Sequence, residues 1–174
     1  MNRVKAGYLG SMATLFERYQ SPLYNFFMRL TGDAAQSEDL TQSAFLRALK
    51  YRKTYRDRYS FRTWIYRLSR NLFYDDYKKT RRRNEYSLEE REDNAGSASY
   101  NTDAANERMK RELADALAQL PSQDRELIVM KKYQGLKYEE ISKITGDSVS
   151  AIKTRTHRAM NKLREIYFEE KVAK

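Results

Sequence analysis

The chain has 174 residues, a length that accommodates one domain or two small ones. It has no cysteine and a single histidine, His157, so thiolate metal sites, disulfide frameworks and the usual catalytic triads are excluded. No cofactor or metal is expected. No apolar run approaches the roughly 18 residues that a membrane span needs, and charged residues interrupt the segment from Met1 to Gln20. We therefore expect a cytoplasmic protein without a secretory signal.

The net charge of +10 is unevenly distributed along the chain. Residues 1–83 carry 18 Lys and Arg against 7 Asp and Glu, residues 84–107 carry 1 against 7, and residues 108–174 carry 15 against 10. Two basic segments therefore flank an acidic connector. A strongly basic surface attracts polyanions, which are nucleic acid or an acidic membrane surface.

The connector is interpreted as a flexible acidic linker spanning residues 84–106. It is poor in apolar residues and rich in acids, Gly, Ser and Asn, a composition that buries too little surface to fold alone. Residues 1–83 and 107–174 are predicted to form two small helical domains, because their apolar residues recur at helical spacing. The predicted fold class is all-α.

The first predicted domain contains four helical segments and a loop. Apolar spacing and the break at Ser21 and Pro22 set the first boundaries, and a polar stretch precedes the last helix. The predicted helices are Met12–Tyr19, Leu23–Leu30, Ser37–Tyr51 and Phe61 to about Arg83, with a loop over Arg52–Ser60. In the third helix the apolar side chains are Leu40, Ala44, Leu46, Ala48 and Leu49.

The last helix of this domain has two contrasting faces. The core face is predicted to carry Phe61, Trp64, Ile65, Leu68 and Leu72. The opposite face places aromatic rings beside guanidinium groups and ends in a basic cluster, with Arg62, Tyr66, Arg70, Phe73, Tyr74, Tyr77, Lys78, Lys79, Arg81, Arg82 and Arg83. One interpretation is a solvated face whose rings cover the edge of the core. The other is a platform for single-stranded nucleic acid, on which bases stack.

The second predicted domain has the order of a helix-turn-helix DNA reader. Its predicted elements are helices over Glu107–Leu120 and Asp124–Tyr133, a short helix Tyr138–Thr145, a tight turn at Gly146, an N-cap at Ser148 and a final helix from Val149 towards Phe168. Donor-rich side chains lie opposite the apolar stripe of the final helix, namely Ser150, Lys153, Thr154, His157, Arg158 and Asn161. A helical hairpin with a solvated face is the alternative interpretation.

Four ordered motifs together resemble the extracytoplasmic-function group of sigma-70-type factors. SEDLTQSAFLRAL (37–49) is similar to the family's polymerase-docking helix, and FRTWIYRLSRNLFYDDYKK (61–79) to its promoter-melting and minus-ten-reading helix. LPSQDRELIVMKKYQGLKYEEI and SVSAIKTRTHRAMNKLRE are similar to the C-terminal domain that reads the minus-thirty-five element. The resemblance covers nearly the whole chain outside the linker. It implies a two-domain sigma factor, without catalysis, that recruits core RNA polymerase to promoters.

The resemblance also implies site residues and partners. Polymerase contacts fall on Asp39, Gln42 and Phe45. Contacts to the minus-ten element fall on Tyr55, Arg56, Ser60, Tyr66, Arg67, Arg70, Asn71, Tyr74 and Lys78. Contacts to the minus-thirty-five element fall on Ser150, Lys153, Thr154, Arg155, His157 and Arg158. The expected partners are promoter DNA and core polymerase, through its largest-subunit coiled coil and its flap. An anti-sigma protein is a further expected partner, and direct membrane binding is not expected.

The sequence departs from the family pattern at a few positions. Ser43 stands where the family usually has an acid, and Lys131 and Lys132 stand where it favours an apolar residue and Arg. Thr156 replaces the usual Leu or Ile, which is expected to loosen the core of the helix-turn-helix.

Two other classes of protein fit part of the sequence. A helix-turn-helix regulator that binds DNA without polymerase would use the second domain and leave the docking helix unused. A basic RNA-binding or membrane-surface protein would use the charge and the Arg/Tyr face.

Overall fold

The computed structural model describes residues 1–86 and 104–172, and within these ranges every regular element is helical. The predicted all-α fold class is confirmed. The helices are α1 (Asn2–Lys5), α2 (Ser11–Thr31), α3 (Ala34–Lys50), α4 (Phe61–Tyr86), α5 (Ala104–Ala118), α6 (Ser122–Ile128), α7 (Tyr138–Thr145) and α8 (Val149–Val172). A 3₁₀ turn spans Arg52–Thr54 and a π-helical turn spans Val129–Tyr133. We call α1–α4 the N-terminal body and α5–α8 the C-terminal body.

The predicted break at Ser21 and Pro22 is wrong, because α2 continues through both residues. Proline removes one backbone hydrogen bond inside a helix and crowds the preceding turn. The helix persists because both of its halves bury side chains in the same core, Met12 before the proline and Leu23 and Phe26 after it. Tertiary packing therefore outweighs the local preference.

Short-range hydrogen bonds set the start of α3, which begins earlier than predicted. Gly32 ends α2 with a φ of 72°, a left-handed conformation that favours glycine. Asp33 then caps α3, its Oδ1 accepting from the backbone N of Gln36 at 2.9 Å. This cap lets the helix start at Ala34 rather than at the predicted Ser37.

The core of the N-terminal body lies between α2, α3 and α4. Leu23, Phe26 and Phe27 of α2 meet Ile65 and Tyr66 of α4, and all five are almost completely buried. The ring centroids of Phe26 and Tyr66 lie 5.3 Å apart in an edge-to-face arrangement. This packing holds α4 against the body along its first half.

Polar contacts fix the second half of α4 against α3. Nη1 of Arg47 lies 3.0 Å from Oδ2 of Asp75, and Nε2 of Gln36 donates to Oδ2 of Asp76 at 2.6 Å. The two adjacent acids of α4 are thus each paired with a different residue of α3. The helix continues to Tyr86, three residues beyond the predicted end.

The C-terminal body packs α6, α7 and α8 around buried aliphatic side chains, the largest being Ile128, Met130, Leu136, Ile141 and Ile152. Gly146 makes the tight turn between α7 and α8 with a φ of 89°. Ser148 caps α8 as predicted, its Oγ accepting from the backbone N of Ala151 at 3.2 Å. The predicted bounds of α7 agree with the structure.

Two boundaries of the C-terminal body differ from the sequence prediction. The predicted linker is shorter at both ends, because α4 includes its residues 84–86 and α5 begins at Ala104; residues 87–103 lie outside the described residues. The predicted helix Asp124–Tyr133 begins earlier, at Ser122, and its last turn widens into the π-helical turn. There the backbone N of Gln134 donates to the carbonyl of Val129 at 2.9 Å.

Candidate nucleic-acid and polymerase interfaces

The predicted minus-ten residues follow the surface of α4 and the loop before it, with unequal exposure. Arg56, Ser60, Arg67, Asn71 and Lys78 are exposed, Arg70 and Tyr74 are half-buried, and Tyr55 and Tyr66 are buried. The prediction of an exposed aromatic face is therefore wrong for Tyr66, and it is also wrong for Phe73, which is 5% exposed. Both rings complete the core because α4 is covered on more than one side.

The loop before α4 is held by its own aromatic residues. The Tyr55 hydroxyl donates to the carbonyl of Tyr59 at 3.0 Å, and its ring meets Trp64 edge-to-face at 5.4 Å. Burial raises the pKa of the Tyr55 hydroxyl, so it stays protonated and able to donate. Trp64, predicted to be a core residue, is half-buried and packs against the core from its edge.

The N-terminal segment supports the same loop. Val4 is completely buried, and the Nζ of Lys5 donates to the main-chain carbonyl of Tyr55 at 2.9 Å. No sequence motif predicts this contact, because one apolar residue, Val4, between charged neighbours is too short a pattern to indicate packing. The first helix therefore acts as a brace for the loop.

A second local support is the start of α4. The Oγ of Ser60 accepts from the backbone N of Thr63 at 3.1 Å, which caps the helix. Ser60 thus has a structural role at a position that the resemblance assigns to DNA.

A groove of about 470 Å³ opens along the exposed part of α4. Asn71, Tyr74 and Lys78 line it from α4, Arg47 from α3 and Gln123 from α6. Amide, phenol and cationic groups are the donors that contact a base and its phosphates. Arg70 lines it as well, so the groove brings four of the predicted minus-ten residues together on one surface.

The C-terminal body covers the central part of this α4 surface. Nε of Arg70 lies 2.9 Å from Oε1 of Glu126, and the Tyr74 hydroxyl donates to Oε2 of the same carboxylate at 3.0 Å. The Tyr66 hydroxyl donates to Oε1 of Gln134 at 2.6 Å, and Arg62 donates to the main-chain oxygen of Gln134. Each of these partners lies in or beside α6 and the π-helical turn.

Two further contacts join the bodies at their edges. Nη1 of Arg125 donates to the carbonyl of Leu30 at 2.8 Å, and the guanidinium of Arg29 lies 4.2 Å from the ring centroid of Tyr133. The interface between the bodies therefore has polar contacts both at its centre and at its edges.

Burial sets the electrostatics of this interface. Glu126 is 1% exposed, and desolvation raises the pKa of its carboxyl, although the nearby Arg70 guanidinium opposes that rise. Burial also raises the pKa of Tyr66 and of Tyr74, and the Glu126 charge raises that of Tyr74 further. The Nε of Arg70 and Oε1 of Glu126 are close but not aligned as a hydrogen bond. The pair is therefore held by charge.

The predicted minus-thirty-five residues lie on the first half of α8. Ser150, Lys153, Thr154, His157 and Arg158 are exposed, as a helix that enters a major groove requires.

Arg155 is engaged within the C-terminal body. Its Nε lies 2.7 Å from Oδ1 of Asp124, and its Nη2 donates to Oε1 of Gln123 at 2.8 Å. This side chain ties α8 to α6.

The predicted polymerase residues lie on α3 with unequal exposure. Asp39 and Gln42 are exposed, whereas Phe45 is 5% exposed and its ring centroid lies 4.8 Å from that of Phe16. Leu46, predicted to be among the apolar side chains of this amphipathic helix, is instead 65% exposed. An exposed leucine one turn after Gln42 is a feature of a docking surface that the helical spacing alone did not reveal.

A groove of about 420 Å³ runs beside this surface between α2 and α3. Its wall includes Phe16, Tyr24, Glu38 and Gln42. We call the exposed face of α3, with Asp39, Gln42 and Leu46, together with this groove, the α3 docking surface.

Two other kinds of site are absent from residues 1–86 and 104–172. None of the helices there combines the length and the hydropathy needed to cross a membrane. In the same part of the chain, no three His, Cys, Asp or Glu side chains are grouped so that they could bind a metal ion.

The geometry defines a class of protein: an all-helical protein with a helix-turn-helix and a second basic helical body. Comparison with known families narrows this class, because sigma-70 region 2 matches residues 15–83 and sigma-70 region 4 matches residues 110–163. The RNA polymerase sigma factor CarQ of Myxococcus xanthus is 33% identical over 169 residues, covering 97% of this chain and 96% of CarQ. The ECF RNA polymerase sigma factor SigL of Mycobacterium tuberculosis H37Rv is 33% identical over 156 residues, covering 88% and 86%.

Solved structures share the fold. The sigma factor RpoE of Bartonella quintana, in complex with the anti-sigma factor NepR, superposes with a TM-score of 0.76 at 23% identity, covering 90% of this chain and 96% of RpoE. CnrH, in complex with the cytosolic domain of CnrY, gives a TM-score of 0.72 at 22% identity, covering 95% and 92%.

The chain belongs to the sigma-70 family, in its extracytoplasmic-function group. It is an RNA polymerase sigma factor for promoter-directed initiation of transcription, and its partners are core polymerase and promoter DNA.

Proposed function

We propose that three surfaces of the chain divide the work of initiation. The α3 docking surface binds the coiled coil of the largest polymerase subunit, the α4 surface with its preceding loop captures the minus-ten element, and the first half of α8 reads the minus-thirty-five element. Contact with the polymerase flap falls to the C-terminal body. The observation that carries the proposal is the exposed row of Lys153, Thr154, His157 and Arg158 directly after the turn of the helix-turn-helix.

The energetics of promoter opening support the assignment of α4. Unstacking three base-pair steps costs roughly 4 kcal/mol, at about 1.4 kcal/mol for each step. Stacking two extruded bases on aromatic side chains returns about 2 to 6 kcal/mol. The two free energies are comparable, so binding energy is sufficient to open the DNA, and we propose that the protein catalyses no reaction of its own.

We further propose that the protein works in the cytoplasm, where bacterial polymerase acts, without binding a membrane directly. RpoE of Bartonella quintana was solved with the anti-sigma factor NepR, and we propose that an anti-sigma protein also binds this chain.

Transcription in vitro tests the assignment of α8. Core polymerase with this protein is expected to produce new start sites on fragmented genomic DNA, and the 5′ ends are expected to share two upstream motifs. Replacing Lys153 and Arg158 together with alanine abolishes these starts, whereas the same change at Lys162 and Arg164, which are also exposed on α8, leaves them. Equal losses in the two double variants would attribute the effect to charge rather than to base reading.

Binding to core polymerase tests the α3 docking surface. Leu46→Ala is expected to weaken binding about tenfold, since removing a buried leucine contact costs roughly 1.5 kcal/mol or more. Leu9→Ala removes another exposed leucine, 52% exposed and outside that surface, and is expected to bind normally. Tight DNA binding by the isolated chain, with no binding to polymerase, would favour the polymerase-independent regulator. Undiscriminating binding to RNA or to anionic vesicles would favour a basic RNA-binding or membrane-surface protein.

A further inference from the structure

Two lysines share one aromatic ring in the C-terminal body. The Nζ of Lys131, in the π-helical turn, lies 4.5 Å from the ring centroid of Tyr138, the first residue of α7. The Nζ of Lys153, on α8, lies 5.8 Å from the same centroid. An aromatic ring attracts a cation within about 6 Å of its centroid. The ring therefore connects Lys131, which departs from the family pattern, with Lys153, which is predicted to contact the minus-thirty-five element.

The ring and the first of these lysines are anchored. Tyr138 is half-buried and packs against the core, and a hydrogen bond of 2.8 Å from the backbone N of Lys137 to Oε2 of Glu140 secures the start of its helix. The Nζ of Lys131 donates to the main-chain carbonyl of Leu136 at 3.3 Å, beside a side chain that is completely buried. Both groups therefore offer fixed positions against which an exposed side chain is held.

The exposed Lys153 experiences two opposing forces at this ring. The π face attracts its ammonium, and the ammonium of Lys131 repels it. From the two centroid distances, these charges are at most about 10 Å apart, which is about one Debye length in roughly 0.1 M salt, so their repulsion is only partly screened. The larger distance belongs to Lys153, as expected for a cation attracted to a ring that another cation already occupies.

Neither ammonium forms an ion pair with an acid in the part of the chain that the structure describes. Arg155, on the same helix as Lys153, pairs with Asp124 instead and is held by α6. A lysine is otherwise a flexible point charge with three donors, which can reach several base edges and phosphates. Restraint by a fixed ring confines those donors to one place, and a donor in one place discriminates between bases.

We propose that Tyr138 and Lys131 are positioning residues for Lys153 when α8 reads the minus-thirty-five element. The ring holds the Lys153 ammonium near the start of α7, and the charge of Lys131 keeps it at the outer limit of the ring's attraction, where it can donate to a base. This inference rests on the proposed function of α8. It also gives a role to the lysine at position 131, because an apolar residue there would cover the ring without repelling Lys153.

Transcription from a promoter library with a randomised minus-thirty-five element tests the proposal, with core polymerase and the full chain. Lys153→Ala is expected to relax the preference at one base pair, which identifies the base pair that this lysine reads. Tyr138→Leu keeps an apolar side chain on the core but removes the ring, and it is expected to lower discrimination at that same base pair about two- to fivefold. Tyr138→Phe keeps the ring and is expected to retain the preference.

The base preference separates positioning from a merely structural role. A Tyr138→Leu protein that was only less stable would lower transcription from all library members alike, and thermal unfolding measures that stability separately. Because the ring acts through Lys153, the double variant Tyr138→Leu with Lys153→Ala is expected to discriminate no less than Lys153→Ala alone. Additive losses, or an unchanged preference in Tyr138→Leu, would overturn the positioning role. A Lys153→Ala protein that keeps every base preference would instead refute the reading by α8 proposed above.

A matched pair of variants tests Lys131. Lys131→Met removes the charge and keeps most of the length of the side chain, so Lys153 moves closer to the ring and is expected to lose discrimination at its base pair. Lys132→Met removes the charge of the neighbouring exposed lysine and is expected to leave the preference unchanged. A uniform weakening of transcription by both variants, without a change in base preference, would mean that Lys131 acts only through net charge and would overturn its positioning role.

Discussion

A buried hydroxyl in the helix-turn-helix offers a direct test of the packing described for the C-terminal body. Thr156 is 3% exposed, and its Oγ1 has no hydrogen-bond partner in the structure. It lies on the same face of α8 as Ile152, Ala159 and Leu163, all of them buried. A polar atom buried without a partner costs about 1 to 3 kcal/mol. We therefore expect Thr156→Val to stabilise the protein, because valine keeps the shape and removes the hydroxyl.

The magnitude follows from the two terms that change. Valine and threonine differ little in helix propensity, so the desolvation of the hydroxyl dominates and the gain is about 1 to 2 kcal/mol. For a domain of the size of the C-terminal body, each 1 kcal/mol of added stability raises Tm by roughly 4 to 8 °C. Thermal unfolding followed by far-ultraviolet circular dichroism measures the change.

The matched control is Thr154→Val, the same substitution at an exposed position of the same helix. Its effect on the free energy of unfolding is expected to stay within about 0.5 kcal/mol. A Thr156→Val protein no more stable than this control would mean that the hydroxyl donates to a carbonyl of the preceding turn. The family's preference for leucine or isoleucine at this position would then have another origin than polarity.

Three further predictions concern the surfaces of the protein. Asn71→Ala is expected to lower the permanganate reactivity of minus-ten thymines at least about tenfold without changing Tm, because this exposed side chain lines the α4 groove; normal reactivity would remove Asn71 from the site. Lys5→Met deletes the bond to the loop before α4, so hydrogen exchange of amides 52–60 should accelerate, and unchanged exchange would show that the brace is dispensable. Burial raises the pKa of the Glu126 carboxyl above its ordinary value, so this group contributes stability to the folded protein that is full below the ordinary carboxyl pKa and is lost as pH rises through the raised value. The free energy of unfolding measured with denaturant should therefore fall with rising pH by more in the wild-type protein than in Glu126→Gln, and equal pH dependence of the two proteins would contradict this assignment.

Local patterns in the sequence were sufficient to predict most helices. The short helix α7 and the start of α8 agree with the structure because glycine, serine and apolar spacing all act within a few residues. The start of α3 differed because the cap at Asp33 lies outside the apolar periodicity on which the prediction depended. The predicted helix break at Pro22 was wrong because packing against the core outweighs the local effect of proline.

The candidate sites were only partly predictable. Helical spacing placed Lys153 and Arg158 correctly on the exposed side of α8. It could not show that Tyr66 is buried or that Leu46 is exposed, because exposure depends on which other elements cover a helix. The contact between Glu126 and Arg70 joins residues far apart in the chain, and no periodicity of either helix encodes such a pairing.

The sole tryptophan makes the two bodies spectroscopically distinct. Trp64 lies in the N-terminal body beside Tyr55, and the C-terminal body contains no tryptophan. Its emission thus reports the unfolding of one body, while circular dichroism reports the helices of both. If the two signals change at one temperature, the bodies unfold cooperatively; if the transitions separate, the bodies unfold independently. The native chain therefore contains its own label for measuring the coupling between its two halves.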